Sequence, residues 1–457
     1  MTTLALDSLG DVRERDRSAM ARSHAGGLAP EASAGAADGP VSQANLPPHA
    51  EIAHVPRVTI HAYCESPTVA ATLETAARDR LMARAGLAVH AGGIDGAVAA
   101  YQNAPTPNLI IVENHSAELV LARLDGLAEV CDPGTKVMVI GYSNDIGFYR
   151  ELMKRGVSEY AIAPLDPVGA IAAISGIYRG ESAGKLGKTY AFIGAKGGVG
   201  SSTVAHNVGW SIARRSQTDV VVADLDLPFG TVGLDFNLDG GQGIAEFVQD
   251  AARLDQMLLD RLLTECGDHL SLLTAPATLD LTHDLDESVF DPLLEVAQSH
   301  VPTLVLDLPH VWSAWARKVL VAADDIVITA APDLANLRNA KNLVAFLKNE
   351  RPHDPPPKLV LNQVGVPKRP EIKPKDFVTA LGIEPLATIA FEPKLFGTAA
   401  NNGQMVGQVA AKARPAEAFA GIAQSLGGRE PAKRRRGGFQ ASALMGLIKR
   451  KRAAAGR

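Results

Sequence analysis

Residues 188–226 read KTYAFIGAKGGVGSSTVAHNVGWSIARRSQTDVVVADLD, and this stretch decides the fold. An apolar run leads into a glycine-rich loop (195–200), a helix-length segment and a second apolar run that ends in two aspartates. Such near-continuous apolar runs predict parallel strands that are covered by helices on both faces. Glycines between a buried strand and a helix start let backbone N–H groups cradle phosphate oxygens, with the helix dipole assisting. The stretch therefore predicts a phosphate-binding α/β domain.

The same alternation of apolar runs and helical stretches continues to about residue 428. The further strands predicted there are HLSLLTA, PTLVLDL, DIVITAA, PKLVLNQ and LATIAFE. Upstream, residues 57–180 contain five shorter runs, which are VTIHAYC, LAVHA, NLIIVEN, KVMVIGY and SEYAIAPL. The predicted fold class is α/β, with two doubly wound parallel-sheet domains at 57–180 and 188–428 and a linker at 181–187.

Length and composition exclude several classes of protein. A chain of 457 residues and 48.0 kDa is too long for a single small binding module, and 46% hydrophobic with 21% charged residues excludes wholesale disorder. Three cysteines without metal-ligand spacing predict a reducing compartment, the cytoplasm. No run approaches the roughly 18 apolar residues that span a bilayer. Residues 1–56 lack aromatic residues and are rich in Ala, Gly and Pro, so a disordered arm is predicted.

Polar side chains at strand ends and at the helix start are the candidate site residues. Asp224 and Asp226 end one predicted strand, and Asp307 ends another. Carboxylates at the C-terminal edge of a parallel sheet position water or a metal-bound water, although solvated strand-end acids are the alternative. Ser202 and Thr203 supply hydroxyls at the start of the predicted helix, where a Mg²⁺ ligand would fall.

The loop resembles that of the MinD/ParA family of deviant P-loop ATPases, which reads K-G-G-V-G-K-T/S. The matching residues are Lys196, Gly197, Gly198, Val199 and Gly200. The later lysine of the family, which contacts the β- and γ-phosphates, is replaced by Ser201. The glycine that follows the Asp-x-Pro segment in relatives is also missing, because Pro309 is followed by His310 and Val311.

This resemblance implies cofactors and roles. ATP is the expected nucleotide, and Ser202, Asp224 and Asp307 are the expected Mg²⁺ ligands. Lys196, reaching across a homodimer, and Asp226, positioning water, are the expected catalytic residues. Residues 196–203 would line the phosphates. Asn362 would contact adenine, although a turn or capping role explains it equally well.

Longer segments narrow the resemblance to the CpaE/TadZ branch, which comprises the pilus-assembly ATPase-like proteins. These segments are LDLPHVW, APDLANLRNAKNLV, LVLNQVGVPKRPEIKPKDF and AANNGQMV. That branch carries an N-terminal receiver-like domain. Here the third strand ends in Glu113 instead of aspartate, Ser143 is the candidate hydroxyl, and the lysine after the fifth strand is absent. We therefore expect a pseudo-receiver that serves protein contacts, with Glu113 either mimicking phosphoaspartate or acting as an ordinary strand-end acid.

The last segment, 429–457, is a basic tail with ten Lys or Arg residues against one acid, in a chain whose net charge is −5. Its clusters KRRR (433–436) and KRKR (449–452) flank a short apolar segment. Attachment to anionic lipid, docking of a partner protein, non-specific nucleic-acid contact and a tail without a binding role all stay open.

The function implied is that of an ATP-binding scaffold with weak or no hydrolysis. It would dimerise and place a type IV-like (Flp/Tad) pilus secretion machine at a cell site, through contacts with that machinery and a site marker protein. The expected location is the cytoplasm, concentrated at a pole or at the inner membrane. The first alternative is an efficient cycling ATPase of the MinD/ParA kind that positions a cargo. A second alternative is a DNA-partitioning or regulatory protein, which the acidic body of the chain disfavours.

Overall fold

The computed structural model describes residues 49, 52–178, 186–238, 243–244, 255–276 and 285–427. All of these residues belong to one compact unit, 46–457. Most of the predicted arm, much of the linker and the basic tail lie outside the described residues. Among the helices of the described ranges, none combines the length and apolarity that crossing a bilayer requires.

The first sheet has five parallel strands in the order β2-β1-β3-β4-β5. Its strands are β1 (Thr59–Cys64), β2 (Gly86–Ala91), β3 (Leu109–Glu113), β4 (Lys136–Gly141) and β5 (Glu159–Ile162). The helices between and after them are α1 (Pro67–Ala77), α2 (Gly93–Tyr101), α3 (Ala117–Val130), α4 (Ile146–Lys154) and α5 (Pro167–Tyr178), with a 3₁₀ turn at Arg80–Met82. All five strands lie where the sequence predicts them.

The second sheet has eight strands in the order β13-β12-β11-β6-β10-β7-β9-β8. The strands are β6 (Lys188–Gly194), β7 (Val220–Asp224), β8 (Thr264–Glu265), β9 (Leu270–Leu273), β10 (Thr303–Asp307), β11 (Asp325–Ala330), β12 (Lys358–Val364) and β13 (Pro385–Ala390). All pairings are parallel except that of β8 with β9. Among the described residues, the two-residue β8 is the strand that the sequence pattern misses.

Ten helices of the described residues accompany this sheet. They are α6 (Ser201–Ser216), α7 (Val232–Asp235), α8 (Gln256–Leu262), α9 (Asp291–His300), α10 (Ala314–Ala322), α11 (Leu334–Glu350), α12 (Pro374–Leu381), α13 (Pro393–Asn401), α14 (Val406–Val409) and α15 (Arg414–Leu426). Helix α6 begins directly after Gly200, and Arg214 and Arg215 in its last turn complement the helix dipole.

Successive side chains of a strand point into two different hydrophobic cores, one on each face of the sheet. This is expected for strands that are covered by helices on both faces. In β6, Tyr190 and Phe192 pack into one core, and Ala191 and Ile193 pack into the other. The alternation buries nearly every side chain of the strand, which makes β6 a rigid support for the loop that follows it. The fold class predicted from the sequence, α/β with parallel sheets, is confirmed.

Part of the arm predicted at residues 1–56 packs against the first sheet. Ile52 and Val55 are buried in a core of the first sheet, although both fall within the stretch 1–56 that was expected to be disordered. The Val55 N–H also donates to the carbonyl of Leu81. Two apolar residues three positions apart are too few to give a periodic pattern, so only the tertiary contact identifies them.

The two sheets meet at the N-terminal edges of their strands. Arg80, just before β2, contacts Asp324, just before β11, and Asp354, just before β12. The glycine-rich loop follows the C-terminal end of β6 and so lies at the opposite edge of the second sheet. The contact between the sheets therefore leaves the loop's edge uncovered.

Candidate functional site

The glycine-rich loop lies where the connections of the second sheet diverge. The chain passes from β6 to β7 on one side of the sheet and later from β10 to β11 on the other. Open parallel sheets bind ligands at such a switch point, beyond the carboxyl ends of their strands. Gly198 and Gly200 have φ angles of +77° and +84°, a region that glycine enters without strain.

Side chains outside the loop hold its backbone carbonyls. Asn362 Nδ2 donates to the Val199 carbonyl at 2.8 Å, and Gln363 Nε2 donates to the Gly198 carbonyl at 2.9 Å. Asn339 Nδ2 donates to the Ala195 carbonyl at 2.8 Å. Because the C=O and N–H of a trans peptide point in opposite directions, these bonds direct the amides that follow away from the three side chains. The loop is thus held in shape by contacts within the chain.

Asn362 has a structural task in this arrangement. Its side chain is buried, and a Cβ added to Gly200 would lie only 2.6 Å from its Nδ2 atom. The turn role that the sequence left open for Asn362 is therefore present, and its contact with adenine stays a prediction. Asn339 and Gln363 were not singled out from the sequence, because their signal is a contact between residues more than 140 positions apart.

The helix start places the predicted phosphate and metal ligands next to the loop. Ser202 and Thr203 are half-buried in the first turn of α6. Ser201 Oγ is buried and has no hydrogen-bond partner among the described residues. The side chain of Lys196 is exposed, and its charge acts on Asp333. Burial opposes the shift, but bonds from Asn336 and the charge of Lys196 lower the pKa of Asp333.

Two carboxylates meet at the ends of neighbouring strands. Asp224 on β7 and Asp307 on β10 are directly paired in the sheet register, and both are buried. Asp224 accepts hydrogen bonds from the backbone N–H groups of Asp226 and Val232, each at 3.1 Å. Burial and the nearby charge of Asp307 raise the pKa of Asp224 to about 6. Asp307 Oδ1 is buried without a hydrogen-bond partner in the described part of the chain.

Asp226 lies two residues beyond its strand and is only half-buried. Its Oδ1 accepts a hydrogen bond from the Phe229 N–H at 3.3 Å. Burial, with a contribution from the charge of Asp307, raises the pKa of Asp226. The structure thus brings Asp224, Asp226 and Asp307 to one sheet edge, as the sequence predicts for strand ends.

His206 is a member of this cluster that the sequence analysis missed. It lies in the second turn of α6, is fully buried, and has Nδ1 at 2.7 Å from Asp235 Oδ2 and Nε2 at 3.4 Å from Asp307 Oδ2. Burial alone would lower the pKa of His206, but the two carboxylates raise it to about 10. A second histidine near the loop, His310, is exposed and uses Nδ1 to donate to the Gly194 carbonyl at 2.9 Å, which is a structural role.

The described residues fit ATP and Mg²⁺. Positive-φ glycines and a helix N-terminus suit a polyphosphate. The unpartnered Ser201 Oγ and Asp307 Oδ1 are buried polar atoms that a ligand would satisfy. The charge that a lysine at position 201 would supply is missing from the loop.

At the corresponding edge of the first sheet, the carboxylate of Glu113 already accepts four hydrogen bonds from the chain. The carboxylate of Glu113 accepts bonds from the backbone N–H groups of Glu65 and Ser66 at 2.9 Å, from Ser66 Oγ at 2.6 Å and from Tyr142 Oη at 2.7 Å. Burial would raise the pKa of Glu113, but these bonds hold it below its usual value. The hydroxyl facing Glu113 from this strand end belongs to Tyr142, whereas the Ser143 N–H contacts Tyr160.

Parts of the chain are similar to known proteins. No protein-family model matches the chain. The septum site-determining protein MinD of Synechocystis sp. is 26% identical over 156 residues, which are 34% of this chain and 57% of that protein. This chain therefore spans little more than half the length of that relative.

Two solved structures are also similar. The pilus assembly protein CpaE from Caulobacter crescentus is 54% identical and covers 28% of this chain and 97% of the solved chain, with a TM-score of 0.27. MinD from Pyrococcus horikoshii complexed with Mg-ADP is 16% identical and covers 53% of this chain and 96% of the solved chain, with a TM-score of 0.46.

The fold and the loop define the class as an α/β protein with a phosphate-binding loop at the switch point of a parallel sheet. The sequence matches to MinD show that part of the chain is similar to P-loop ATPases of the MinD/ParA superfamily.

Proposed function

We propose that the chain is an ATP-binding scaffold that positions a type IV-like (Flp/Tad) pilus secretion machine at a cell site, with weak or no ATP hydrolysis. The observation that carries this is a loop shaped for phosphate in which a neutral, unpartnered Ser201 stands in the place of the lysine. The 54% identity to a pilus assembly protein over 28% of the chain supports the pilus role.

The roles of the site residues follow from their positions. The amides of the loop would bind the phosphates, Ser202, Asp224 and Asp307 would hold Mg²⁺, and Asp226 would orient water. Mg²⁺, when bound, neutralises phosphate charge. Ser201 offers a hydroxyl where a cation would stabilise the charge that develops during phosphoryl transfer, so binding persists better than hydrolysis.

Homodimerisation and location are part of the same proposal. The exposed Lys196 projects from the loop and is available to the nucleotide of a second copy of the chain. The partners would be pilus secretion proteins and a site marker protein. The complex would lie in the cytoplasm at a pole or against the inner membrane.

The competing function is an efficient cycling ATPase of the MinD/ParA kind. The half-buried Asp226 and the exposed Lys196 favour it, because the resemblance to the MinD/ParA family implies catalytic roles for both. Ser201 and the exposed Val311, which replaces the glycine after Pro309, oppose it.

Live-cell imaging of a fluorescent fusion tests the positioning role. We expect a focus that persists when the pilus machinery is deleted, and machinery that disperses when this chain is deleted. Lys196→Ala should dissolve the focus, whereas Lys375→Ala, at an exposed position of α12, should keep it. Machinery that stays focal without this chain would refute the scaffold role.

A further inference from the structure

The buried imidazole of His206, on helix α6, lies between two carboxylates. Its side chain has 0% exposure, and Nδ1 lies 2.7 Å from Asp235 Oδ2. On the other side, Nε2 lies 3.4 Å from Asp307 Oδ2 but makes no hydrogen bond with it. One ring nitrogen is thus fixed, and the other is buried without a hydrogen-bond partner in the described residues.

Two further buried groups surround that nitrogen. Ligand atoms of His206, Asp224 and Asp307 all lie within 4.8 Å of one another. Asp307 Oδ1 is buried and unpartnered as well. Buried polar atoms without partners are costly, and a buried pair of carboxylates is costlier still unless its charge is compensated. A divalent cation would satisfy these atoms and neutralise both carboxylates.

The arrangement is typical of a metal-binding histidine. Such residues donate the second ring N–H to a carboxylate, which orients the ring and leaves the other nitrogen for the metal. Asp235 is placed to do this for His206. The backbone bonds to Asp224 orient that carboxylate in the same way.

We propose that His206 Nε2, Asp224 and Asp307 bind a divalent transition-metal ion directly, with Asp235 as the positioning residue of the imidazole. Imidazole with carboxylates suits ions such as Mn²⁺, Fe²⁺, Co²⁺ or Zn²⁺, whereas Mg²⁺ prefers oxygen ligands and retains its water. The proton on Nε2 leaves to solvent when the ion binds. This site shares Asp224 and Asp307 with the Mg²⁺ site proposed above and goes beyond it, because His206 adds a nitrogen ligand and the protein holds the ion without a nucleotide.

Mn²⁺ is the probe for the test, used with the nucleotide-free full-length chain. Electron paramagnetic resonance counts bound Mn²⁺, and electron spin echo modulation detects a nitrogen ligand. We expect one Mn²⁺ per chain with nitrogen modulation, displaced by Mg²⁺ only in large excess. No bound Mn²⁺, or bound Mn²⁺ without nitrogen modulation, would overturn the site, and this result needs no variant.

Three variants assign the nitrogen. His206→Gln should abolish the modulation and weaken Mn²⁺ binding by about tenfold or more, and Asp235→Asn should weaken it by roughly ten- to a hundredfold while the modulation remains. His269→Gln removes an exposed histidine paired with Asp219 and should change neither. Equal or tighter Mn²⁺ binding by His206→Gln would show that the ring is a counter-ion and contradict the site. ATP binding is measured separately, so a failed scaffold function would not affect this result.

Discussion

At the scale of single residues, the conformation of the glycine-rich loop depends on Gly200, which has no Cβ. Gly200 has a left-handed backbone, and a Cβ there would come within 2.6 Å of Asn362 Nδ2, the atom that holds the Val199 carbonyl. Any other residue at position 200 would strain the backbone and displace the amide that shapes the loop.

Gly200→Ala should therefore lower the free energy of unfolding by about 1–3 kcal/mol and weaken ATP binding. Gly126→Ala is the matched control, because Gly126 lies within helix α3 and a Cβ there meets no atom within 4 Å. That control should raise stability by about 0.5–1 kcal/mol. Urea unfolding and nucleotide titration measure both effects, and a neutral Gly200→Ala would show that the loop is not held as described.

The loop motif is visible in the sequence, whereas the residues that support it are not. Lys196, Ser201 and Ser202 are adjacent in the chain, so their pattern is visible without a structure. His206 lies in a helical segment in which a buried histidine has the pattern of a core residue, and its partner Asp235 lies 29 positions away in a segment without a motif. Its role follows only from the three-dimensional contact.

At the scale of elements, a buried ionic cluster joins the 3₁₀ turn before β2 to the segments before β11 and β12. Arg80 makes two bonds to Asp354, at 2.7 and 3.1 Å, and one to Asp324 at 3.2 Å. Arg351 Nε donates to Asp354 at 2.7 Å, and His49 bridges Asp354 and Asp79. Asp324 also accepts bonds from Thr189 in β6, so the cluster connects to the strand that carries the loop.

Arg80→Met should cost about 3–5 kcal/mol of unfolding free energy, because it removes the charge partner that Asp354 and Asp324 share and leaves their charge only partly compensated. Arg57→Met is the control across the same interface, since Arg57 pairs with Glu295 but its side chain is 77% exposed. We expect about 1 kcal/mol or less for that exposed pair. Urea unfolding of the full chain tests both, and equal small losses would refute a structural role for the cluster.

His49 makes the same interface sensitive to pH. Burial alone would lower its pKa, but bonds to Asp354 and Asp79 raise the pKa of His49 to about 9. A pKa raised in the folded state contributes stability that is complete below the unfolded value of 6.5 and is lost as pH rises through about 9. The unfolding free energy should fall over this window, and His49→Gln should flatten the fall. Arg57→Met should keep the wild-type slope; an unchanged slope in His49→Gln would contradict the assignment.

At the scale of the whole molecule, both sheets present the C-terminal edges of their strands away from their mutual contact. At that edge of the first sheet, Glu113 is hydrogen-bonded to the chain. At that edge of the second sheet lies the glycine-rich loop. Apolar runs of four residues or more are long enough to show the strands of both sheets in the sequence. The two residues of β8 and the pair Ile52 and Val55 give no recognisable sequence pattern. Only the tertiary structure shows that β8 is a strand and that Ile52 and Val55 are buried.

The central claim is that the chain binds ATP but hydrolyses it weakly because Ser201 replaces a lysine. Phosphate release by the wild type, Ser201→Lys and Lys196→Ala, beside an active MinD, is the most direct test. We predict near-background release by the wild type and Lys196→Ala despite ATP binding by the wild type. Ser201→Lys should bind ATP roughly ten- to a hundredfold more tightly, because a charge-assisted phosphate contact contributes about 1.5–3 kcal/mol. Wild-type phosphate release as fast as that of the active MinD would contradict the claim and favour the cycling ATPase.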